Sequence, residues 1–266
     1  MSNTDHLQLE SLGKENRRLE RKLARSEQNR AQMEDLQATN SRLLQSVMDE
    51  LQAEKKKSEA LLLNILPKQV VARLNNGETL IADRFDDVTV LFADFVGFTK
   101  ISAGMPAARL VENLGNVFSQ FDSLAQDLGV EKLKTIGDAY MAAVGLPEWR
   151  SDHVKAAAEM ALGIFKVLER INPSLETPWQ IRIGVHTGPV VAGIIGTHKF
   201  AYDVWGDTVN LASRMESSCK PGHIHVSEAT ARFLNRDFHL ERAGFVGITG
   251  MGKLETYFLK GRRGQS

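Results

Sequence analysis

The sequence predicts an α+β sandwich, a sheet with helices packed on it, preceded by a long N-terminal helical coiled coil. Two observations support this prediction. The first 66 residues contain no proline and only Gly13 as a glycine, and their apolar residues recur at steps of three and four. From residue 87 onward, short apolar runs of strand length alternate irregularly with longer segments of helical period.

Residues 1–66 are rich in Glu, Lys, Arg, Gln and Leu, which favour helix. Their apolar seam slips at 26–33, where Arg30 falls on it. A lone amphipathic helix of this length is poorly stabilised in water, so we expect a partner helix and a dimeric coiled coil. The alternative is a solvated, partly disordered charged tail. The seam comprises Leu12, Leu19, Leu23, Met33, Leu36, Leu43, Val47 and Leu51, with Asn16 and Asn40 between them.

Pro67 ends or kinks this helix. We therefore divide the chain into a coiled-coil helix (1–66), a linker (67–86), a globular domain large enough to be catalytic (87–260) and a tail (261–266). Within the linker, 68–74 is predicted to be a short helix. The predicted strands of the domain are 88–92, 131–136, 139–144, 179–186, 188–195, 223–227 and 256–259, and its helices are 106–128, 152–171 and 208–218.

Composition gives no global indication of several classes of partner; a local basic patch remains an alternative. The 33 basic residues balance 33 acidic ones, so nothing global indicates nucleic acid or an anionic membrane. No apolar run approaches the ~20 residues of a membrane helix, and the N-terminus has no signal-peptide pattern. Cys219 is the only cysteine, so no intrachain disulfide can form. We therefore expect a cytoplasmic protein.

Two carboxylates stand where metal ions and phosphates are often bound. Asp94 ends an apolar strand and is followed by a glycine-containing turn, which can direct backbone N–H groups at an anion. Asp138 lies in the turn of a predicted hairpin, after Gly137. Taken singly, each is explained as an ordinary turn former. Together, on adjacent strand ends, they can share two metal ions.

A third motif pairs an amide with a guanidinium. Asn210 and Arg214 are four residues apart and therefore share one helix face. Aimed at one point, they suit a ribose and a phosphate. The alternative is a solvated polar face.

These three stretches, together with 181–188, resemble the signature segments of class III adenylyl and guanylyl cyclases. The resemblance runs from about residue 87 to 259, in the family's order. It implies a ferredoxin-like βαββαβ sandwich. Residues 61–84 also resemble the helical transducer element that precedes many such domains.

The resemblance implies roles for the residues around the phosphates. Asp94 and Asp138 match two metal-binding aspartates, which would hold two Mg²⁺ or Mn²⁺ ions. Arg182 matches an arginine that meets the triphosphate. Asn210 and Arg214 match the pair that orients the ribose and stabilises the transition state. A phosphate-cradling turn is matched by Phe95, Val96, Gly97, Phe98 and Thr99.

The purine is read, by the same resemblance, at Lys134 and Asp203. Lysine only donates and an ionised aspartate only accepts, which complements adenine at its N1 and 6-amino groups. Guanine reverses both groups, so the expected substrate is ATP. The alternative is a surface salt bridge between the two side chains.

One position departs from the family. Members often carry a phosphate-binding lysine before the final strand, and here that position is Thr249. Lys253 or Lys199 would compensate, or the affinity for ATP is lower. No general base is evident; Asp94 and a substrate oxygen are both candidates.

Family sites lie between two domains, and this chain has both halves. The resemblance therefore implies an adenylate cyclase homodimer that makes cyclic AMP and pyrophosphate. The coiled coil would either bias how the domains meet or only dimerise them, and a sensor would be a separate protein or a missing domain. Three alternatives remain: a guanylyl cyclase, an inactive nucleotide-binding module, and a coiled-coil adaptor.

Overall fold

The computed structural model describes residues 3–196, 200–248 and 252–264, with side chains from residue 12 onward. The chain divides between Asn64 and Ile65 into two compact units. The first unit is one helix, α1 (Asn3–Leu63), as predicted. The predicted seam residues are all exposed, from 53% at Val47 to 69% at Leu51. Because this apolar seam is uncovered in the single chain, the coiled-coil partner stays a prediction.

Over its described residues, the second unit combines helices with one eight-stranded sheet. Its helices are α2 (Lys68–Asn75), α3 (Phe98–Ala103), α4 (Ala107–Leu128), α5 (His153–Ile171), α6 (Asp207–Ser217) and α7 (Glu228–Leu234), with a 3₁₀ turn at Asn172–Ser174. Its strands are β1 (Ala82–Phe95), β2 (Glu131–Ile136), β3 (Ala139–Val144), β4 (Ile181–Ile195), β5 (Ala201–Trp205), β6 (Ile224–Ser227), β7 (Phe238–Ile248) and β8 (Gly252–Arg262). This is the mixed α+β class that the sequence predicted.

The sheet order is β2-β3-β1-β4-β6-β8-β7, and β5 pairs with β4. All described pairs are antiparallel except β4 with β6. Long β1 and β4 lie side by side at the centre, and α4 and α5 contact each other. Fully buried Phe121, Tyr140, Ile164 and Trp179 belong to one apolar cluster with the central strands. No described helix is both long enough and apolar enough to cross a membrane.

Strand β4 is continuous where the sequence predicted two strands. The sequence predicted separate strands at 179–186 and 188–195, with Pro189 inside the second. Proline cannot donate to a β-ladder. In the sheet, the β1–β4 register shifts between Phe85 and Val88, opposite Val190 and Gly188. Pro189 therefore lies at a bulge, where the ladder does not require the N–H that proline lacks.

Other boundaries differ where the apolar signal is weak. Strand β1 starts at Ala82 instead of Val88, because its first residues are largely exposed and polar. Strands β5 and β7 and helix α7 were not predicted. Strand β7 lies at the sheet edge and buries only Phe238 fully, so it shows no continuous apolar run. The β2–β3 hairpin, by contrast, has the predicted bounds.

Candidate active site

The two predicted metal-binding aspartates converge at one edge of the sheet. Asp94 lies near the end of β1, where its register partners are Ala139 on β3 and Arg182 on β4. Asp138 directly precedes Ala139 in the β2–β3 turn, so the hairpin brings it beside Asp94. In the described ranges no three His, Cys, Asp or Glu side chains form a metal cage. Two carboxylates fit Mg²⁺, which is usually held by one or two carboxylates with substrate phosphates.

The environment of Asp138 disfavours the ionised form of its carboxyl group. Burial raises the pKa of Asp138, and the negative charge of Asp94 raises it further. A hydrogen bond to the Asp138 backbone and the charge of Arg182 act in the opposite direction. A divalent cation would favour the ionised form of both carboxylates. The donor set and its electrostatics therefore suit a hard cation.

Arg182 lies between two acidic side chains. Its Nη2 and Nε donate to Asp94 Oδ2 at 2.8 and 3.3 Å. The same Nε lies 2.6 Å from Glu216 Oε1 on α6. All three side chains are mostly buried. The guanidinium is therefore shared between a predicted metal ligand and a second carboxylate.

Glu216 was missed by the sequence analysis. Burial raises its pKa to about 7; the charge of Asp94 also raises it and that of Arg182 lowers it. Oε1 is buried and makes no well-aligned hydrogen bond, despite its short distance to Arg182. Helical spacing from Ala212, also buried, was the signal that could have revealed it.

Gly184 allows α6 to lie directly on β4. A Cβ built at Gly184 would lie 2.0 Å from the Glu216 backbone nitrogen and 2.6 Å from the Ala212 carbonyl oxygen. No side chain fits that space, and both neighbours are backbone atoms. Gly184 therefore fixes the height of α6 above the sheet, and with it Glu216.

The outer face of α6 presents the predicted Asn210 and Arg214. Both residues are exposed and stand one helical turn apart, as expected. Since Glu216 uses the buried face of the same helix, the two predicted substrate residues point away from it. Arg214 and Asn210 are thus available to a molecule outside this chain.

The predicted purine readers contact each other. Lys134 Nζ on β2 forms an ion pair with Asp203 Oδ2 on β5. Asp203 Oδ1 also accepts a hydrogen bond from the Val204 N–H at 2.9 Å. Strands β2 and β5 share no ladder, so only the tertiary fold joins this donor and acceptor. The salt bridge that was the alternative interpretation is present.

Residues 80–261 match the family model described as the adenylate and guanylate cyclase catalytic domain. This chain belongs to that family. It is 43% identical over 214 residues to an adenylate cyclase of Mycobacterium tuberculosis, covering 80% of this chain and 48% of the relative. It is 42% identical over 218 residues to the rat guanylate cyclase soluble subunit beta-2, covering 81% and 32%. The chain thus spans half or less of these relatives' length.

Solved structures agree with this family. The guanylate cyclase domain of RhGC from Catenaria anguillulae, in complex with GTP, aligns with a TM-score of 0.66 at 36% identity. The alignment covers 68% of this chain and all of that domain. Because relatives named for either nucleotide match, the family alone does not select the substrate.

The predicted phosphate turn of the cyclase domain has two parts. Phe95 is buried, with its ring 5.0 Å from that of Trp179, and the Val96 N–H donates to the Gln180 carbonyl at 2.8 Å. The Val96 amide is therefore already engaged. Gly97 adopts a left-handed φ of 69° and leads into α3. The amides of Gly97, Phe98 and Thr99 remain candidates for phosphate.

Of the positions that bear on the missing phosphate-binding lysine, the described part of the cyclase domain includes only one. Thr249 and Lys199 lie outside the described residues. Lys253 is described; it is exposed on β8, opposite Gly247 in the β7–β8 hairpin. The residue that replaces the family's lysine therefore stays a prediction.

Proposed function

We propose that this chain is an adenylate cyclase that converts ATP to 3′,5′-cyclic AMP and pyrophosphate. The observation that carries the proposal is the pairing of Lys134 with Asp203. It sets a fixed donor beside a fixed acceptor, at the two positions that resemble the family's purine readers.

Adenine presents an acceptor at N1 and a donor at its 6-amino group. Lys134 has three N–H donors and Asp203 several lone pairs, so each can contact the base while retaining its partner. Guanine presents N1–H to the position of the lysine and O6 to that of the aspartate. Each buried mismatch costs about 1–3 kcal/mol, which favours ATP over GTP.

The reaction is an in-line displacement at the α-phosphorus. The ribose 3′-oxygen forms the new bond, the bond to the β-phosphate oxygen breaks, and the 3′-hydroxyl proton leaves to Asp94 or to a substrate oxygen. Divalent ions held by Asp94 and Asp138 would lower the hydroxyl pKa and neutralise the leaving phosphates. Arg214 would stabilise charge on the α-phosphoryl group, while Asn210 orients the ribose.

We propose that each site is shared between two chains. Helix α6 directs Glu216 inward to the Asp94 side and exposes Asn210 and Arg214 outward. One helix therefore presents these two outer residues away from its own chain's carboxylates. A two-fold dimer would bring them to the partner's aspartates at two equivalent sites.

Mixing defective chains tests the sharing. Asp94→Ala and Arg214→Ala chains should each be inactive, and the mixture should regain activity because one of its two sites is intact. The measurement is cyclic AMP formation after joint refolding or co-expression. Failure to regain activity, with heterodimers demonstrated by mass spectrometry, would contradict shared sites.

An ATP and GTP turnover assay, with Mg²⁺ and with Mn²⁺, tests the activity itself. We expect ATP to be preferred and Asp138→Ala to lose at least about 100-fold in kcat/KM, since it removes a metal ligand. Asp127, exposed on α4, supplies the matched Asp→Ala control. A preference for GTP would identify a guanylate cyclase, and no turnover of either would support an inactive nucleotide-binding module.

Helix α1 and the linker would serve assembly. The exposed seam of α1 supports a parallel coiled coil with a second copy in the cytoplasm. In the linker, Arg73 binds Glu78 through two hydrogen bonds of 2.6 and 2.7 Å and also pairs with Asp83 on β1. This clamp ties α2 to the central sheet, which suits a transducer of a signal from a separate sensor. Simple dimerisation is the competing explanation.

A further inference from the structure

The contact between Arg182 and Asp94 creates a conflict at the proposed site. Asp94 Oδ2 accepts from both Nη2 and Nε of Arg182, at 2.8 and 3.3 Å. Oxygen lone pairs engaged by a guanidinium are not available to a cation. Both hydrogen bonds go to Oδ2, so Arg182 would compete with the proposed metal ion for this oxygen of the carboxylate.

Glu216 is placed to relieve that conflict. Its Oε1 lies 2.6 Å from Arg182 Nε, closer than Asp94 Oδ2 is to the same atom. The guanidinium consequently does not form the two-nitrogen, two-oxygen fork with Asp94 that Arg–carboxylate pairs favour. A second acidic partner holds the arginine in the site while it weakens its hold on Asp94.

We propose that Glu216 is a positioning residue that draws Arg182 away from Asp94, leaving this carboxylate free for a divalent cation and Arg182 free for phosphate. The inference rests on the proposed function. Glu216 does not touch the reacting atoms; it acts through Arg182.

The packing of α6 supports a fixed role for Glu216. Its backbone nitrogen occupies the space that a side chain at Gly184 would need, and only 8% of the residue is exposed. The carboxylate therefore cannot swing far from Arg182. Once a cation engages Asp94, Glu216 remains as the nearest acidic anchor of the guanidinium.

Glu216→Gln tests the inference, because it removes the charge and keeps the shape. The full-length chain, free of nucleotide, is titrated with Mn²⁺ alone at pH 8, and free Mn²⁺ is followed by electron paramagnetic resonance. We expect Mn²⁺ to bind about 10-fold more weakly in the variant. In turnover assays the KM for ATP should rise more than kcat falls, because Arg182 would close on Asp94.

Glu159→Gln is the matched control. Glu159 also pairs with an arginine, Arg262, at 3.0 Å, and also has a buried, poorly bonded Oε1, but it lies outside the site. This variant should bind Mn²⁺ as the parent chain does. Equal Mn²⁺ binding in both variants and the parent would overturn the inference, as would the absence of Mn²⁺ binding in the parent.

A double-mutant cycle separates positioning from direct ligation. Arg182→Ala removes the competitor, so Glu216→Gln should then leave Mn²⁺ binding unchanged. A persistent 10-fold loss would show that Glu216 is itself a ligand and would overturn positioning. Should the parent chain turn over neither nucleotide while the Mn²⁺ results hold, the proposed function fails and the positioning role stands.

Discussion

The acidic cluster and the purine pair are held in place in different ways. The residues of the cluster (Asp94, Asp138, Arg182 and Glu216) lie on strands β1 and β4, in the β2–β3 turn and on helix α6. Their spacing follows from the ladder register and the Gly184 contact. The purine pair (Lys134 and Asp203) joins two strands without a common ladder, through one ion pair.

The difference fits the two tasks that we propose for these groups. A metal and phosphate site tolerates little displacement, so groups on a rigid scaffold suit it. Base selection depends on which partner donates and which accepts, so it can change by side-chain replacement. We therefore expect changes in the cluster to abolish turnover, and changes in the pair to redirect it.

The largest effect should come from Gly184→Ala. Its Cβ would meet the Glu216 backbone at 2.0 Å, so α6 must move or the fold must loosen. We expect the free energy of unfolding to fall by about 3 kcal/mol and turnover to be lost. Gly115→Ala is the control: nothing lies within 4 Å of its added Cβ on α4, and helix propensity predicts a gain of up to about 1 kcal/mol. Denaturant unfolding measures both, and equal stability of the two variants would contradict the packing argument.

Substitutions in the purine pair should convert the nucleotide preference from ATP to GTP. Lys134→Glu combined with Asp203→Ser replaces the donor by an acceptor and removes the carboxylate, which suits guanine. We expect the ratio of kcat/KM for ATP over GTP to fall by about 100-fold, with the metal requirement unchanged. A uniform loss on both nucleotides would mean that the ion pair is structural.

A smaller loss of turnover should follow from weakening the dimer. With shared sites, dissociation separates the cluster and the pair from their partner residues alike. Leu23→Asp places a charge on the apolar seam of α1, whereas Ala24→Asp places it beside the seam. We expect the first variant to lose activity several-fold at low protein concentration and to recover it at high concentration. Sedimentation should show the matching dissociation. Identical behaviour of the two variants would argue against a coiled-coil dimer.

The smallest effect concerns pH and stability, and the cluster alone should show it. Burial raises the pKa of Glu216 to about 7 from about 4.5, so the folded chain binds a proton more tightly than the unfolded one. Its contribution to stability is present below pH 4.5 and is lost as the pH rises through 7. Without divalent ions, Glu216→Gln should therefore raise the free energy of unfolding by about 1 kcal/mol at pH 8 and should not raise it at pH 4.5. Urea titrations at the two pH values measure this, and a gain at pH 4.5 would contradict it.

Much of the fold was predictable because its signals are local. The β2–β3 hairpin has the predicted bounds since two segments of strand length flank a Gly-Asp turn, and α1 follows from composition and period alone. Strand β4 was predicted as two strands, 179–186 and 188–195, and only its register with β1 reveals one continuous strand with a bulge that accommodates Pro189. Strand β7 escaped prediction because an edge strand need not be apolar.

The sequence by itself determined the helix of the first unit, the α+β class of the second, and the residue types available for metal, phosphate and purine. Only the tertiary structure decided that Lys134 meets Asp203, that Arg182 is divided between Asp94 and Glu216, and that the Val96 amide is engaged. The reason is physical: periodicity and turn chemistry act over a few residues. The contacts of Arg182 join positions 88 and 34 residues away, through strand register and a helix resting on one glycine.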